Sequence, residues 1–241
     1  MPTAPWQYRT WPISLSDLLL LLIVLILGTW FIAGFASLLF ASGMPGALAG
    51  LILLGAQAAL LFVLVRAVAV QWRGLTWPEL GLDVFDRRAM PLGILMGVLA
   101  VVLSSIVFGI MQSGQEEPLQ NPQVNFLRSV GTGTGAAFIL IFLATTVVPF
   151  VEELAYRGLV YGWLRQRFDI WPSVIVSSLF FAVMHDVPLL ILPITVVGII
   201  LALLYERYQS IWPCVIAHGT FNGINLMFFY ISSASGAAPH G

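Results

Sequence analysis

Three ionisable side chains stand close together in an otherwise apolar stretch, VEELAYRG at residues 151–158. An ionisable group in the middle of a bilayer costs about 2.5–3.5 kcal/mol on insertion scales, so such groups usually pair or line a functional cavity. Arg157 follows Glu153 by one helical turn, a spacing that favours a carboxylate–guanidinium pair. Glu152 is rotated by about 100° from Glu153 on the same helix. We therefore expect Glu152 to face a different polar neighbour.

Three further polar side chains are candidates for that neighbour. His185 ends the apolar run WPSVIVSSLFFAVMH, while His218 and Asn222 are four residues apart on one face of a later helix. In a helix pair that turns near Phe168, Glu152 and His185 each lie about 24 Å from the turn, at nearly the same depth. His218 and Asn222 lie about 12 and 18 Å from the start of their own helix. These distances are shorter than the roughly 24 Å of Glu152 and His185, and turns at unequal heights would remove the difference in depth. We predict that the four groups converge within a bundle.

One glutamate, two histidines and an asparagine could hydrolyse an amide in two ways. A glutamate beside a neutral imidazole can deprotonate a water and direct it at a carbonyl, while two further donors hold the oxyanion. Alternatively, Glu152, His185 and His218 would hold a zinc ion with a fourth position for water. A buried hydrogen-bond network that only specifies helix packing is the structural alternative. The Gly-x-Gly-Asp motif of intramembrane aspartyl proteases and the His-Glu-x-x-His motif of zinc proteases are absent from the sequence.

The composition is typical of an integral membrane protein. Of the 241 residues, 59% are hydrophobic and 9% are charged, whereas soluble domains carry about a quarter charged residues. A membrane span needs roughly 20 apolar residues, so the chain predicts one integral membrane domain, residues 1–241, that is an all-α bundle of about seven or eight transmembrane helices. The basic residues are all arginine and the net charge is -1. We therefore expect the lipid bilayer, and no nucleic acid, as a partner.

Seven apolar runs predict the positions of the helices. They lie near residues 15–41, 46–70, 90–112, 135–166, 171–185, 188–206 and 211–231. Pro149 is expected to split the fourth run, which would raise the count to eight. Residues 71–90 predict a connection in the membrane interface, anchored by two tryptophans. Residues 113–134 predict an exposed loop, and residues 232–241 a flexible tail.

The arginines predict the orientation of the chain. If the apolar runs alternate across the bilayer from a cytoplasmic N-terminus, most of the arginines lie at or near the cytoplasmic side. These are Arg9, Arg66, Arg73, Arg87, Arg88, Arg165, Arg167 and Arg207. Only Arg128 falls in an opposite loop, so the positive-inside rule predicts a cytoplasmic N-terminus. The lack of lysine and the abundance of small aliphatic residues are typical of a bacterial protein, which predicts the inner membrane.

The polar motifs resemble those of the CAAX-protease and bacteriocin-processing family, also called the Abi family, which includes the type II prenyl-protein endopeptidase. The matching motifs are Glu-Glu-x-x-x-Arg at Glu152, Glu153 and Arg157, Phe-x-x-x-His at Phe181 and His185, and His-x-x-x-Asn at His218 and Asn222. The resemblance covers residues 145–226, which we predict to be the catalytic core helices. The N-terminal helices add only a compatible topology.

The resemblance implies a membrane-embedded, water-filled proteolytic chamber within about eight helices. It implies that Glu152 activates water with help from His185, and that His218 and Asn222 steady the oxyanion. Three neighbours would support the site structurally: Glu153, Arg157 and Phe181. The resemblance, together with the poor zinc affinity of an asparagine, favours hydrolysis without a metal cofactor over a zinc site. The expected substrate is a membrane-anchored peptide or protein, either prenylated or of a signal or bacteriocin type.

Two other functions stay open at the level of the sequence. Gly93 and Gly97 have the small-x-x-x-small spacing that lets helices approach closely. The chain could therefore be a non-catalytic subunit, or an immunity or chaperone-like protein, that binds a partner in a membrane complex. A transporter or proton channel could use the same glutamate and histidines as a relay. A stoichiometric partner in copurification would favour the first alternative, and proton flux into liposomes the second.

Overall fold

The apolar runs fold into helices because a helix satisfies its backbone hydrogen bonds within one segment, which the interior of a bilayer requires. The structure, a computed structural model, describes residues 11–82, 85–117, 119, 121–130 and 134–234. Within these ranges the chain forms helices and no strand. The α-helices are α1 Leu15–Ala41, α2 Gly46–Val65, α3 Met90–Ser113, α4 Pro122–Val130, α5 Thr134–Phe142, α6 Val148–Glu153, α7 Gly162–Arg165, α8 Ile170–Val183, α9 Ile191–Tyr208 and α10 Trp212–Ala234.

Among the described residues, six helical segments are long and apolar enough to cross a membrane. They are Leu15–Ala41, Gly46–Trp72, Arg87–Ser113, Ala137–Arg165, Pro188–Tyr208 and Trp212–Ser233. A seventh apolar helix, α8, has 14 residues and is roughly 21 Å long, less than a hydrocarbon core of about 30 Å. The all-α, polytopic membrane fold is thus confirmed. His185 follows the last residue of α8 by two positions.

The predicted break at Pro149 is wrong, since Ala137–Arg165 is one continuous helical span, which we call the site helix. A π-helical turn, Leu143–Val147, directly precedes α6 and its proline and widens the helix there. Proline has no N–H to donate to the carbonyls of this turn. The Ala144 carbonyl instead accepts a hydrogen bond from Asn222 Nδ2 at 2.8 Å. A side chain of α10 thus compensates for the proline, and the helix continues.

The loop predicted over residues 113–134 is also partly wrong, because α4 lies within it. Asn121 begins this helix: its Oδ1 accepts a hydrogen bond from the backbone N–H of Gln123 at 2.9 Å. Pro122 occupies the first helical position, where its missing N–H leaves no carbonyl unsatisfied. The dipeptide Asn-Pro was therefore the sequence signal for a helix start. α4 forms one wall of a cavity.

Two glycines of α3 allow α10 to pack very close to it. A Cβ on Gly93 would lie 2.9 Å from the Pro213 carbonyl oxygen, and one on Gly97 would lie 2.5 Å from the Ala217 carbonyl oxygen. The small-x-x-x-small pair is therefore occupied by the protein's own α10. Its effect is to hold the part of α10 that carries His218 against the rest of the bundle.

One end of the bundle gathers the N-terminal segment and several arginines. Arg73 pairs with Asp17 at 2.7 Å. The indole nitrogen of Trp163 and a guanidinium nitrogen of Arg167 each donate to the Ile13 carbonyl, both at 3.1 Å. These arginines therefore share one end with the start of the described chain. The named positions that lie outside the described residues are Arg9 and the tail residues 235–241.

The connection between α2 and α3 packs onto the site helix. The carbonyl oxygen of the buried residue Leu80 lies so near Gly158 that a Cβ there would be 2.6 Å away. Trp77 stacks on Phe62 with 6.0 Å between the ring centroids, whereas Trp72 is 58% exposed. One tryptophan therefore packs against α2, and the other faces the surroundings.

Candidate active site

The adjacent glutamates lie in α6, between the π-helical turn Leu143–Val147 and a second π-helical segment, Leu154–Tyr161. Such turns are frequent at functional sites, and they rotate the side chains that follow relative to a regular α-helix. The two carboxylates have different surroundings. The side chain of Glu153 is fully buried, whereas that of Glu152 is 21% exposed. Only Glu152 is therefore accessible to a substrate.

Glu153 and Arg157 form the predicted ion pair, and it is almost completely buried. Their side chains are 0% and 1% exposed and lie 3.1 Å apart. Arg157 also donates to the Gly198 carbonyl of α9 at 3.2 Å, and its guanidinium lies over the ring of Phe181 in α8, 4.4 Å from the centroid. Further hydrogen bonds help to offset the cost of burying such a pair, although Glu153 Oε2 is buried without a hydrogen-bond donor among the described residues. These contacts connect the site helix with α8 and α9.

His218 lies between the two carboxylates. Its Nδ1 donates to Glu153 Oε1 at 2.9 Å, and its Nε2 is 3.7 Å from Glu152 Oε2. The distance to Glu152 is too long for a hydrogen bond, and Glu152 Oε2 is a buried oxygen without a hydrogen-bond donor among the described residues. The result is a free acceptor, held beside an imidazole whose orientation the other glutamate sets.

Phe181 brings the second imidazole to the same place. Its ring contacts His185 edge-on at 4.6 Å and His218 at 5.7 Å between centroids. The Phe181 carbonyl accepts a hydrogen bond from His185 Nδ1 at 2.8 Å. Because a carbonyl can only accept, the proton of a neutral His185 is on Nδ1, and Nε2 is an acceptor. This is the tautomer needed to orient or deprotonate a water.

Asn222 lies one helical turn after His218 on α10 and bonds the backbone of the site helix. Its Nδ2 donates to the Ala144 carbonyl, and the side chain is half-buried. An amide NH₂ has two hydrogens, so this bond leaves one donor for an oxyanion. Asn222 therefore also joins α10 to the π-helical turn before α6.

The described contacts bring most of the predicted residues together. Direct contacts connect Glu152, Glu153, Arg157, Phe181, His185 and His218. The contact of Glu152 is with His218, and the predicted closeness of Glu152 and His185 stays a prediction. The difference in depth that was estimated between His218 and Glu152 is absent, because the His218 imidazole bonds directly to Glu153 of the site helix.

The two imidazoles present the same nitrogen to the site. His218 donates Nδ1–H to Glu153 and His185 donates Nδ1–H to the Phe181 carbonyl, so Nε2 is the remaining nitrogen of each ring. Among the residues that the structure describes, no group of three His, Cys, Asp or Glu side chains is arranged to hold a metal ion. Hydrolysis without a metal cofactor stays a prediction.

One polar residue near the site was missed by the sequence reasoning. A cavity of about 270 Å³ opens beside His185, with walls from α2, α4 and the residues after α8. The other residues that line it are Leu53, Leu54, Gln57, Gln123, Phe126 and Val187. Gln57 interrupts an otherwise apolar run, GALAGLILLGAQAALLFVLV. A single polar side chain within a span was the signal that could have identified it.

We expect Gly219→Ala to damage the site through its packing. Gly219 lies between His218 and Asn222 in the sequence, and a Cβ there would overlap the Thr145 carbonyl oxygen. Overpacking of this kind typically costs about 1–3 kcal/mol. The variant should unfold at a lower temperature in detergent and lose cleavage, because α10 must move away from the site helix.

Gly109→Ala is the matched control, since a Cβ at Gly109 has no described atom within 4 Å. This change should leave the unfolding temperature equal or slightly higher, because alanine favours a helix by up to about 1 kcal/mol over glycine. Equal unfolding temperatures for the two variants would contradict the close packing of α10 on Thr145.

Comparisons with known proteins match the part of the chain that carries these residues. Residues 134–224 match the family model described as "Type II CAAX prenyl endopeptidase Rce1-like". The protein named "Putative membrane peptidase YdiL" of Bacillus subtilis (strain 168) is 29% identical over 84 residues, which is 35% of this chain and 34% of the relative. The alignment thus spans about a third of each protein. No solved structure matches the chain.

The matched segment contains the site helix residues, both histidines and Asn222. It supports a membrane protease at the level of the family. The resemblance inferred from the three motifs is therefore confirmed: residues 134–224 are similar throughout to the Rce1-like type II CAAX prenyl endopeptidases.

Proposed function

We propose that this protein is an intramembrane endopeptidase that hydrolyses a peptide bond of a membrane-associated substrate with a water activated by Glu152. The observation that carries this proposal is the partly exposed Glu152 carboxylate, with one oxygen unpaired and 3.7 Å from His218 Nε2. A carboxylate that only specified packing would be expected to share a hydrogen bond with this imidazole, as Glu153 does.

In the proposed reaction, Glu152 accepts a proton from water, and His185 Nε2 orients that water. The hydroxide attacks the scissile carbonyl, and the carbonyl oxygen becomes an oxyanion that accepts hydrogen bonds from His218 and Asn222. Glu152 then returns the proton to the leaving amine as the C–N bond breaks. The acid and base steps therefore need no group beyond those of this chain.

The hydrogen bond to Glu153 has a consequence for His218. Because Nδ1–H is donated to Glu153, Nε2 can donate to the oxyanion only when the ring is an imidazolium. With His218 protonated, Glu152, Glu153, Arg157 and His218 together carry no net charge. Four charged side chains whose charges sum to zero suit the membrane interior, where an unbalanced charge is costly.

Substrate and location belong to the same proposal. We take the substrate to be a membrane-anchored peptide or protein, prenylated or of signal or bacteriocin type, and the location to be a bacterial inner membrane. The end of the bundle with Arg73 and Arg167 would face the cytoplasm, together with the N-terminus. The arginines that contact the N-terminal segment support this orientation.

The test is cleavage of a library of membrane-anchored and prenylated reporter peptides by the purified protein in detergent. We expect His185→Ala to lower kcat by about 10²-fold, because the attacking water loses the group that orients it. Ser177→Ala is the control, because Ser177 is buried in α8, the helix that ends just before His185, and bonds only the backbone of its own helix. Undiminished cleavage by folded His185→Ala would contradict the mechanism. Rates that fall with a chelator and return with zinc would contradict its metal-free form.

A further inference from the structure

Gln57 is a polar side chain near the middle of a membrane-spanning helix. It is half-buried in the span Gly46–Trp72, and its carboxamide makes no hydrogen bond to another described residue. Polar groups in a span usually bond to a neighbouring helix or line a functional cavity. Without a partner on a neighbouring helix, packing gives no reason for an amide at this position.

The cavity gives Gln57 a different role. Gln57 lies on its α2 wall, and His185, which we place in the catalytic machinery, lies on another wall. Leu53 and Leu54 precede Gln57 by about one helical turn and line the same cavity. Gln57 and His185 therefore line the same space from different walls.

The lining determines what kind of molecule fits. Two carboxamides, Gln57 from α2 and Gln123 from α4, contribute from different walls, and Phe126 and Val187 add apolar surface. Apart from His185, no described lining residue can carry a charge. A carboxamide offers one donor group and one acceptor group, which match the C=O and N–H of an extended main chain. A charged substrate side chain would meet no counter-ion there.

We propose that Gln57 binds the main chain of the substrate next to the scissile bond, in a site that accepts an extended segment with uncharged, apolar side chains. The proposal rests on the proposed proteolytic function for the role of His185. It makes Gln57 a substrate-binding residue that acts on affinity, and leaves the activation of water to Glu152 and His185.

The first experiment measures binding without cleavage. An uncharged apolar peptide that carries a benzophenone side chain is photo-crosslinked to the Glu152→Gln protein, with and without Gln57→Leu. We expect labelling of α2 or α4 in the cavity, and an affinity about three- to tenfold weaker with Gln57→Leu, the effect of one lost hydrogen bond. A depsipeptide that lacks the N–H should bind the Glu152→Gln protein more weakly than the peptide does, and Gln57→Leu should then weaken binding by a smaller factor. A peptide with Asp at the same position should label weakly.

Asn225→Leu is the matched control, because Asn225 is an exposed amide of α10 that bonds its own helix and does not line the cavity. Its labelling should equal that of the parent. Equal labelling with and without Gln57→Leu, labelling outside the cavity, or the same loss in Asn225→Leu would overturn the inference.

The second experiment separates this inference from the proposed function. In the reporter assay, Gln57→Leu should raise KM about three- to tenfold and leave kcat within about twofold, as expected when uniform binding is lost. Cleavage with an unchanged KM would overturn the role of Gln57 and leave proteolysis intact. Labelling that depends on Gln57, in a protein that cleaves no reporter, would support the peptide site and contradict the proposed hydrolysis.

Discussion

Glu152→Gln is expected to lower the rate of reporter cleavage about 10²–10⁴-fold and to leave the fold intact. The change keeps the shape of the side chain and removes the carboxylate that would accept the proton of water, a contribution of typically 10²–10⁴-fold. Because Glu152 Oε2 receives no hydrogen bond from the described protein groups, the amide breaks no existing bond at that oxygen. The unfolding temperature should therefore stay close to that of the parent.

The measurement is kcat/KM for the best reporter, with the unfolding temperature of each protein as a check on its fold. Glu79→Gln is the control, since Glu79 lies in the connection between α2 and α3 and only caps a local turn at Thr76. Cleavage by Glu152→Gln within about tenfold of the parent would show that another group activates the water. Loss of cleavage by both variants would point to general damage.

Arg157→Leu is expected to have the largest effect on stability. Removing one partner of a buried ion pair leaves the other charge uncompensated and typically costs about 3–5 kcal/mol. Here the remaining charge is Glu153, which is fully buried, and the change also removes the bond to Gly198 and the contact with Phe181. We expect little folded protein in detergent, or a much lower unfolding temperature.

A double variant separates the charge from the lost packing. Adding Glu153→Leu to Arg157→Leu removes the buried carboxylate that has lost its arginine partner. The double variant should therefore be more stable than Arg157→Leu alone. It should still lose cleavage, because His218 no longer has Glu153 to orient its ring. Arg88→Leu, at an exposed arginine, should change stability by no more than about 0.5 kcal/mol. Equal losses in Arg88→Leu and Arg157→Leu would contradict the buried pair.

The positions of the helices and one part of the site could be read from the sequence. A membrane span must be apolar along its length and satisfy its own backbone, so composition alone predicts where spans occur. The pair Glu153 and Arg157 follows from helical geometry within one element. Pro149 is the clearest local signal for a helix break, yet the helix continues through it. Asn222 of α10 donates to the Ala144 carbonyl and so compensates for the missing N–H of the proline.

The relation between helices was decided by the tertiary structure. Sequence spacing gives the distance of a residue from its own turn, and the height of that turn depends on what the turn packs against. The backbone N–H of Ile211 donates to the Gly81 carbonyl at 3.0 Å, so the connection after α2 holds the start of α10. This contact helps set the level at which His218 meets Glu152 and Glu153. No pattern within α10 itself contains that information.

The cavity and its amide depend on the tertiary structure for the same reason. Gln57 is visible in the sequence as a polar residue in an apolar run, yet only the packing of α2, α4 and the end of α8 places it beside His185. Local sequence thus determined which residues could do chemistry, because helix formation and burial are local requirements. Long-range packing decided which of them meet, because contacts between distant segments set the depth and rotation of each helix.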